Sequence, residues 1–166
     1  MGGAGELIFA SEDGRGIRNS AKAVIIDGER ILLTKNEDHL GIFYLLPGGG
    51  QRFGETLPEA VRRECREEIR ADVEVGEVRF IREYIGKNHE FAAEDNGVHQ
   101  VEYMFACKVA AGEIPGTGPE PDGMQIGVEW VDLERLGEHR LYPDCLRKLL
   151  KNTSDRGGCL YLGDCN

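Results

Sequence analysis

The chain has 166 residues, 40% hydrophobic and 30% charged, and a formal net charge of −10. That length and composition fit one soluble domain with enough apolar content for a core. The acidic balance argues against a nucleic-acid surface, which needs clustered Lys and Arg, so no nucleic acid partner is expected. No apolar run approaches the ~18 residues that cross a bilayer, so no membrane partner is expected either.

Residues 1–17 are Gly-rich and mixed, a loosely held lead-in with neither the basic nor the long apolar region of a secretory signal. The expected compartment is the cytoplasm. Asn19–Asp27 and Arg30–Lys35 read as strands joined at Asp27-Gly28, a hairpin signal, and Phe43–Leu46 as a third short strand. Pro47 and Gly48–Gly50 then form a turn without side chains. Thr56 with Glu59 three residues on is a capping box, Pro58 falls in the first turn, and good helix formers follow to Arg70.

Beyond this helix, Asp72–Ile85 is β-rich, Gly86–Gly97 is a polar loop, and Val98–Val109 is the strongest strand, with Val101, Tyr103, Phe105 and Cys107 on one face. Ala111–Gly123, rich in Gly and Pro, reads as a loop. Ile126–Val131 is a strand, Asp132–Leu136 a single helical turn, and Pro143–Lys151 an amphipathic helix. A tail, 153–166, holds a potential edge strand at Cys159–Leu162. The domain proper is expected over 18–152. A mostly β chain with two helices fits a mixed sheet sandwiched between helices.

The chemistry concentrates on the mid-chain helix. At about 100° per residue, Glu64 and Glu68 fall within roughly 20° of Leu57, beside Ala60 and Val61, while Glu59, Arg62, Arg66 and Arg70 form the solvated side. Carboxylates turned inward repel one another and resist desolvation unless a cation compensates them. Hard oxygen ligands beside a Gly turn suit Mg²⁺ or Mn²⁺ and not zinc. An acidic surface helix would be the plain alternative, but here the arginines supply the exposed face.

At these residues the chain resembles the Nudix hydrolases, whose motif is Gly, five residues, Glu, seven residues, Arg-Glu, an aliphatic, any residue, Glu-Glu, any residue, Gly, an aliphatic. Gly49, Glu55, Arg63, Glu64, Glu67 and Glu68 match; Cys65 and Ala71 replace the aliphatics, and Arg70 replaces the Gly that ends the helix. The resemblance implies an α/β fold, an α/β/α sandwich with a central mixed sheet and a loop-helix-loop metal site. It also implies hydrolysis of a nucleoside diphosphate linked to another moiety, with ADP-ribose-like compounds, nucleotide sugars or nucleoside triphosphates as substrate classes.

On that resemblance Glu64, Glu67 and Glu68 hold Mg²⁺ or its substitute Mn²⁺, together with a backbone carbonyl of Gly48 or Gly49. Glu55 and Arg63 pair to orient them. The general base is either a box Glu or a loop carboxylate, here Glu120 or Asp122. Arg82, Tyr84, His89, Phe91, His99 and Glu102 are the substrate-contact positions, Phe91 as a ring for stacking a base. The partner is a small nucleotide-derived molecule, and a homodimer is expected, with Leu160–Leu162 as a segment that crosses between subunits. The competing reading from another class is a Nudix-fold sensor that binds a nucleotide without cleaving it. Such a protein should lack a box Glu or carry a second domain, and this chain does neither.

The five cysteines are odd in number, widely spaced and without C-x-x-C, which reads as reduced thiols; Cys159 and Cys165 are the pair near enough in sequence to join under oxidation. A zinc or redox protein fails on the same spacing.

Overall fold

The computed structural model describes residues 16–151 and 158–166. Most of the lead-in and the stretch 152–157 lie outside the described residues, so the expectations placed on them are not addressed here. Nine strands and three α-helices alternate in chain order: β1 (Arg18–Asp27), β2 (Arg30–Asp38), β3 (Gly41–Leu45), β4 (Gly48–Gly50), α1 (Leu57–Ile69), β5 (Val73–Ile85), α2 (Ala92–Asp95), β6 (His99–Val109), β7 (Gln125–Asp132), β8 (Leu141–Tyr142), α3 (Leu146–Lys151) and β9 (Leu160–Asp164). The sheet runs β8-β3-β2-β1-β6-β5-β9, with β4 also on β1 and β7 also on β2. It is mixed, because β1 lies parallel to β6 and antiparallel to β2 and β4.

Two cores, one on each face of the sheet, make this a sandwich. On one face Ala60, Val61, Cys65 and Ile69 of α1 pack on Ala21, Ala23, Ile25 and Phe105. On the other, Leu146 and Leu150 of α3 pack on Val24, Leu33, Phe80 and Met104. At about 1.5–3 kcal/mol for each buried Leu, Ile, Val or Phe, these two layers supply most of the drive to fold.

The period-2 reading of β6 holds for Phe105 and Cys107, which meet α1. The opposite face is buried as well. There Gln100 and Glu102 precede Met104, just as Ser20 and Lys22 precede Val24 on β1, and Arg82 and Tyr84 follow Phe80 on β5. One face of the sheet therefore changes from apolar under α3 to polar at its other end, and that polar end holds the cavity described below.

Several boundaries moved. The helix expected from Pro143 begins at Leu146, and the single turn after β7 is a 3₁₀ helix, Leu133–Glu138. The loop after β5 is not bare, since it contains a 3₁₀ turn, Gly86–Asn88, and then α2. β9, which holds the Leu160–Leu162 segment, pairs in parallel with β5 of its own chain. Tyr142-Pro143 is a cis peptide.

Helix α1 starts as its sequence dictates. Thr56 accepts from the Glu59 amide while Glu59 caps back on Thr56. Its end is unusual, because Arg70 takes the left-handed conformation, φ 52°, that a glycine normally occupies. The last carbonyls are met by the Gly/Pro loop instead: the amides of Gly116, Gly118 and Glu120 donate to Ile69, Glu68 and Glu67 O at 2.9, 2.9 and 3.0 Å. A Cβ on Gly118 would sit 2.0 Å from Glu67 O, so this close approach needs glycine.

Left-handed geometry costs an L-residue roughly 1–2 kcal/mol, of which the looser unfolded state of glycine takes back part. Arg70→Gly should therefore raise stability by about 0.5–1 kcal/mol in urea denaturation; a loss of that size would mean the Arg70 side chain holds the loop.

Candidate active site

Strand β4 places the three glycines against β1 in the register Ser20↔Gly50, Ala21↔Gly49, Lys22↔Gly48. None has room for a side chain. Gly48 has φ +131°, and a Cβ there would meet Ala21 O at 2.2 Å. On Gly49 it would meet the Glu64 carboxyl at 2.7 Å, and on Gly50 the Arg18 guanidinium at 2.7 Å. The turn is bare because one carboxylate and one guanidinium already fill the space.

Glu68 is 3% exposed, and the Gly48 amide donates to its Oε2 at 2.9 Å. Burial drives its carboxyl up to about 8, against the opposing pull of Lys22 and the Gly48 amide and helped by Asp122 and Glu64. Arg63 is the hub beside it. Its Nε and Nη2 donate to the two oxygens of Glu55 at 2.7 and 3.0 Å, Nη2 also to Gly50 O at 2.9 Å, and Nη1 to Glu64 Oε1 and Glu67 Oε2 at 2.6 and 3.0 Å. The expected Glu55–Arg63 pair is thus present, and it is bidentate. Glu55 is held below its usual range chiefly by Arg63.

The expected ligands differ in their readiness. Glu67 has one oxygen on Arg63 and the other on Arg52 Nη2, 3.2 Å away. Among the described residues no group of three His, Cys, Asp or Glu side chains is gathered as a metal site. Glu64 and Glu68 are the two helix carboxylates that reach the glycine strand, at Gly49 and Gly48, where backbone oxygens lie beside them. Of those, Gly49 O accepts from Ser20 Oγ at 3.0 Å and Gly48 O from the Lys22 ammonium. A buried carboxylate that burial resists charging, a second one cradled where a Cβ would sit, and adjacent carbonyls form a hard-oxygen set that fits a divalent cation.

A cavity of about 630 Å³ opens from this point along the polar end of the sheet. Gly48, Gly49, Glu64 and Asp122 line one end, Arg82, Tyr84 and Glu102 its floor, and Phe43, Phe91 and Tyr142 the far side. A larger cavity, about 830 Å³, lies beside α3, but Val24, Ile26, Phe80 and Leu150 line it and no carboxylates converge there.

The cavity receives four of the six expected substrate positions. Arg82, Tyr84, Phe91 and Glu102 line it; His89 and His99 do not. Arg82 and Glu102 are buried and joined at 2.5 Å, with Gln100 Nε2 on the other Glu102 oxygen at 2.7 Å. Although burial raises it, Glu102 is held below its ordinary value by Arg82 and Lys22. Tyr84 donates to Asp95 at 2.7 Å. His89 stacks on Tyr84 from behind, and His99 lies 3.8 Å from Glu83. Of the two loop carboxylates Asp122 lines the cavity, whereas Glu120 is exposed with its amide on Glu67 O.

Sequence reasoning missed Arg18, Ser20, Lys22, Gln100, Phe43 and Tyr142, all of which line this cavity. For Lys22 a signal existed, since a lysine breaks an otherwise apolar strand on the same face as Ser20. It also missed Asp164, which accepts from the Ile85 amide at 3.0 Å, Asn88 Nδ2 at 2.8 Å and His89 Nε2 at 2.5 Å. Those bonds tie β9 to the loop that carries Phe91. Burial would raise Asp164, but Asn88, His89 and the Ile85 amide hold it down at about 2, from an ordinary 3.8.

The NUDIX domain model matches residues 16–152 of this chain. An ADP-ribose pyrophosphatase from Streptococcus suis superposes with a TM-score of 0.59 at 20% identity, over 87% of this chain and 98% of its own. A NUDIX hydrolase from Nitrosomonas europaea gives 0.65 at 17%, over 89% and 80%. A MutT NUDIX hydrolase from Burkholderia pseudomallei gives 0.55 at 29%, over 70% and 83%. Comparison with curated proteins returns no match. With its box residues assembled as described, the chain belongs to the Nudix family and is a Nudix-type diphosphate hydrolase.

Because the carboxylate of Asp164 is favoured in the folded state, its stabilisation is present above pH 3.8 and fades as pH falls through about 2. Asp164→Asn should cost about 1–2 kcal/mol at pH 7, a gap that closes toward pH 2. Urea titrations across that range test it, and a gap independent of pH would remove the carboxylate from the account.

Proposed function

We propose that the protein is a Mg²⁺-dependent hydrolase of the diphosphate bond in a nucleoside diphosphate linked to another moiety. Support comes from one observation above the others: Glu64 and the bare glycine strand line a cavity that Phe43, Phe91 and Tyr142 also line, with Glu68 buried directly behind that strand on the Gly48 amide. A diphosphate is inert because its own oxygens repel a nucleophile. A divalent cation held at Glu64 and Glu68, with Gly48 or Gly49 O, would neutralise that charge and acidify water, with Mn²⁺ as a substitute. Glu67 joins that set when Arg52, which is exposed, releases its oxygen.

The remaining roles belong to side chains already placed. Arg63 and Glu55 fix the angle at which α1 offers its carboxylates. Lys22 sets a positive charge beside the diphosphate end. Asp122 is the residue to which we assign removal of the proton from the attacking water, in preference to Glu120, which faces solvent. Phe91, Phe43 and Tyr142 suit the flat face of a base, while Arg82, Tyr84 and Glu102 shape the floor. Among the structural neighbours, an ADP-ribose pyrophosphatase and a UDP-X diphosphatase support nucleotide-linked substrates of the same kind.

We assign the enzyme to the cytoplasm, in keeping with the absence of any described helix long and apolar enough to cross a membrane. We also propose a homodimer, with the outer edge of β9 as its contact in place of an exchanged strand; a sedimentation mass of one chain overturns it.

The decisive assay incubates ADP-ribose, a UDP-sugar and nucleoside triphosphates with purified protein and Mg²⁺ and resolves the products. Wild type should cleave at a diphosphate bridge. Glu68→Gln should lose at least about 100-fold in rate yet melt no lower than wild type without metal, because the amide oxygen still accepts from Gly48 and no acid is left that burial resists charging. Tight binding without cleavage, with Mn²⁺ also supplied, would favour the sensor reading.

A further inference from the structure

Segment 160–166 forms part of the wall of the substrate cavity. Asn166 lines that cavity beside Tyr142 and Pro143. The segment is held from several sides: Asp164 grips the 85–89 stretch, the Cys165 amide donates to Glu83 O at 3.2 Å, and Arg82 Nη1 donates to Cys165 O. Cys165 is thereby fixed in place, and its sulfur lies 3.0 Å from that of Cys145. Cys145 directly precedes α3 and follows the Tyr142-Pro143 stretch, which forms the facing wall.

Two thiols thus stand in contact across the seam between two walls of one cavity. The other three cysteines lack this arrangement, since Cys65 and Cys107 are buried in the core and Cys159 is exposed. All five are free thiols, as the spacing suggests, but the neighbour that Cys165 meets is Cys145, 20 residues away, and not Cys159. Cys145 and Cys165 are both only partly buried, and Cys145 also lines a surface cleft with Asp144, Arg147 and Lys148, so a small oxidant can reach the pair.

We propose that Cys145 and Cys165 are a redox-responsive thiol pair, oxidised by hydrogen peroxide to a disulfide that locks segment 160–166 to the start of α3 and so fixes the mouth of the substrate cavity. Burial and the neighbouring Cys165 push the Cys145 thiol up to about 12, which suits Cys145 to the resolving step, and the first attack falls to Cys165, whose backbone Glu83 O and Arg82 hold in place. The Cys165 thiolate attacks one peroxide oxygen, the O–O bond breaks, and hydroxide leaves, giving a sulfenic acid at Cys165. The Cys145 sulfur then displaces the sulfenic oxygen as water, forming the S–S bond and losing its proton. Two thiols lose two electrons and two protons, and one peroxide becomes two waters. A transient, sensing disulfide is the form such a bond takes in a reducing compartment.

The covalent step does not depend on the hydrolase reading; its effect on turnover rests on it. The full chain and its Cys145→Ser, Cys159→Ser and Cys165→Ser variants are reduced, treated with hydrogen peroxide, digested with trypsin without reductant and weighed by mass spectrometry. The segment 141–147 should be joined to 157–166 in wild type and Cys159→Ser and in neither other variant. A link that survives Cys165→Ser, a bond closed within 157–166, or no link at all overturns the proposal.

Oxidised Cys159→Ser should melt about 5 °C higher than its reduced form. On a cleaved nucleotide its KM should fall about threefold with kcat unchanged, as expected of a pre-organised wall. Cys145→Ser should show neither change. A cross-link that forms without moving Tm or KM removes the locking role, and absence of any turnover counts against the hydrolase reading while the cross-link and Tm still decide this one.

Discussion

The active end of this protein depends on the five hydrogen bonds of the Arg63 guanidinium. Its planar fork joins the loop carboxylate Glu55, the glycine strand at Gly50 O and the helix carboxylates Glu64 and Glu67. A lysine could offer a point charge but not this set of directions. Without it, the loop before α1, the bare strand β4 and the face of α1 would lose the side chain that joins all three, leaving single contacts such as Gly48 N to Glu68. The guanidinium is held more firmly protonated by its carboxylates, Glu55 first, against the opposing effect of its partial burial.

Beside that hub the protein tolerates an unfavourable feature. Glu68 is buried with one backbone amide and a nearby ammonium as its counterweights, and its preference for the protonated form reports the strain. Structural needs alone would favour an apolar residue there, as Cys65 and Ile69 show on the same helix. Under the proposed function, the carboxylate at this place serves a ligand that brings positive charge. Stability and function compete at this residue, and the two apolar layers around α1 and α3 offset its cost.

The cavity arises from a change of character along three strands. On one face of β1, β5 and β6 the side chains pass from Val24, Phe80 and Met104 to Ser20 and Lys22, Arg82 and Tyr84, Gln100 and Glu102. Where α3 covers the sheet, the residues are apolar; where it stops, they are polar and paired among themselves. The segment around β9 then closes the open side through Asp164 and Arg82. The same short stretch thus supplies a strand, a cavity wall and a thiol, which is why its fixation reaches the substrate.

Local signals carried a good share of this reading. The Gly turn, the capping box of Thr56 and Glu59, the inward carboxylates of α1 and the strand alternation of β1 and β6 are all written in neighbouring residues, and so was the family resemblance. The approach of Glu64 and Glu68 to the glycine strand was legible for the same reason, because the two share one helix face. Tertiary structure decided everything that depends on residues far apart in the chain. It turned Glu67 onto two arginines, brought Asp122 and not Glu120 to the cavity, left His89 and His99 outside it, let a loop cap a helix whose glycine is missing, and set Cys165 against Cys145. Periodicity reports which side of its own element a residue faces. Which distant element meets that side is settled by sheet order and loop closure, and a period cannot encode either.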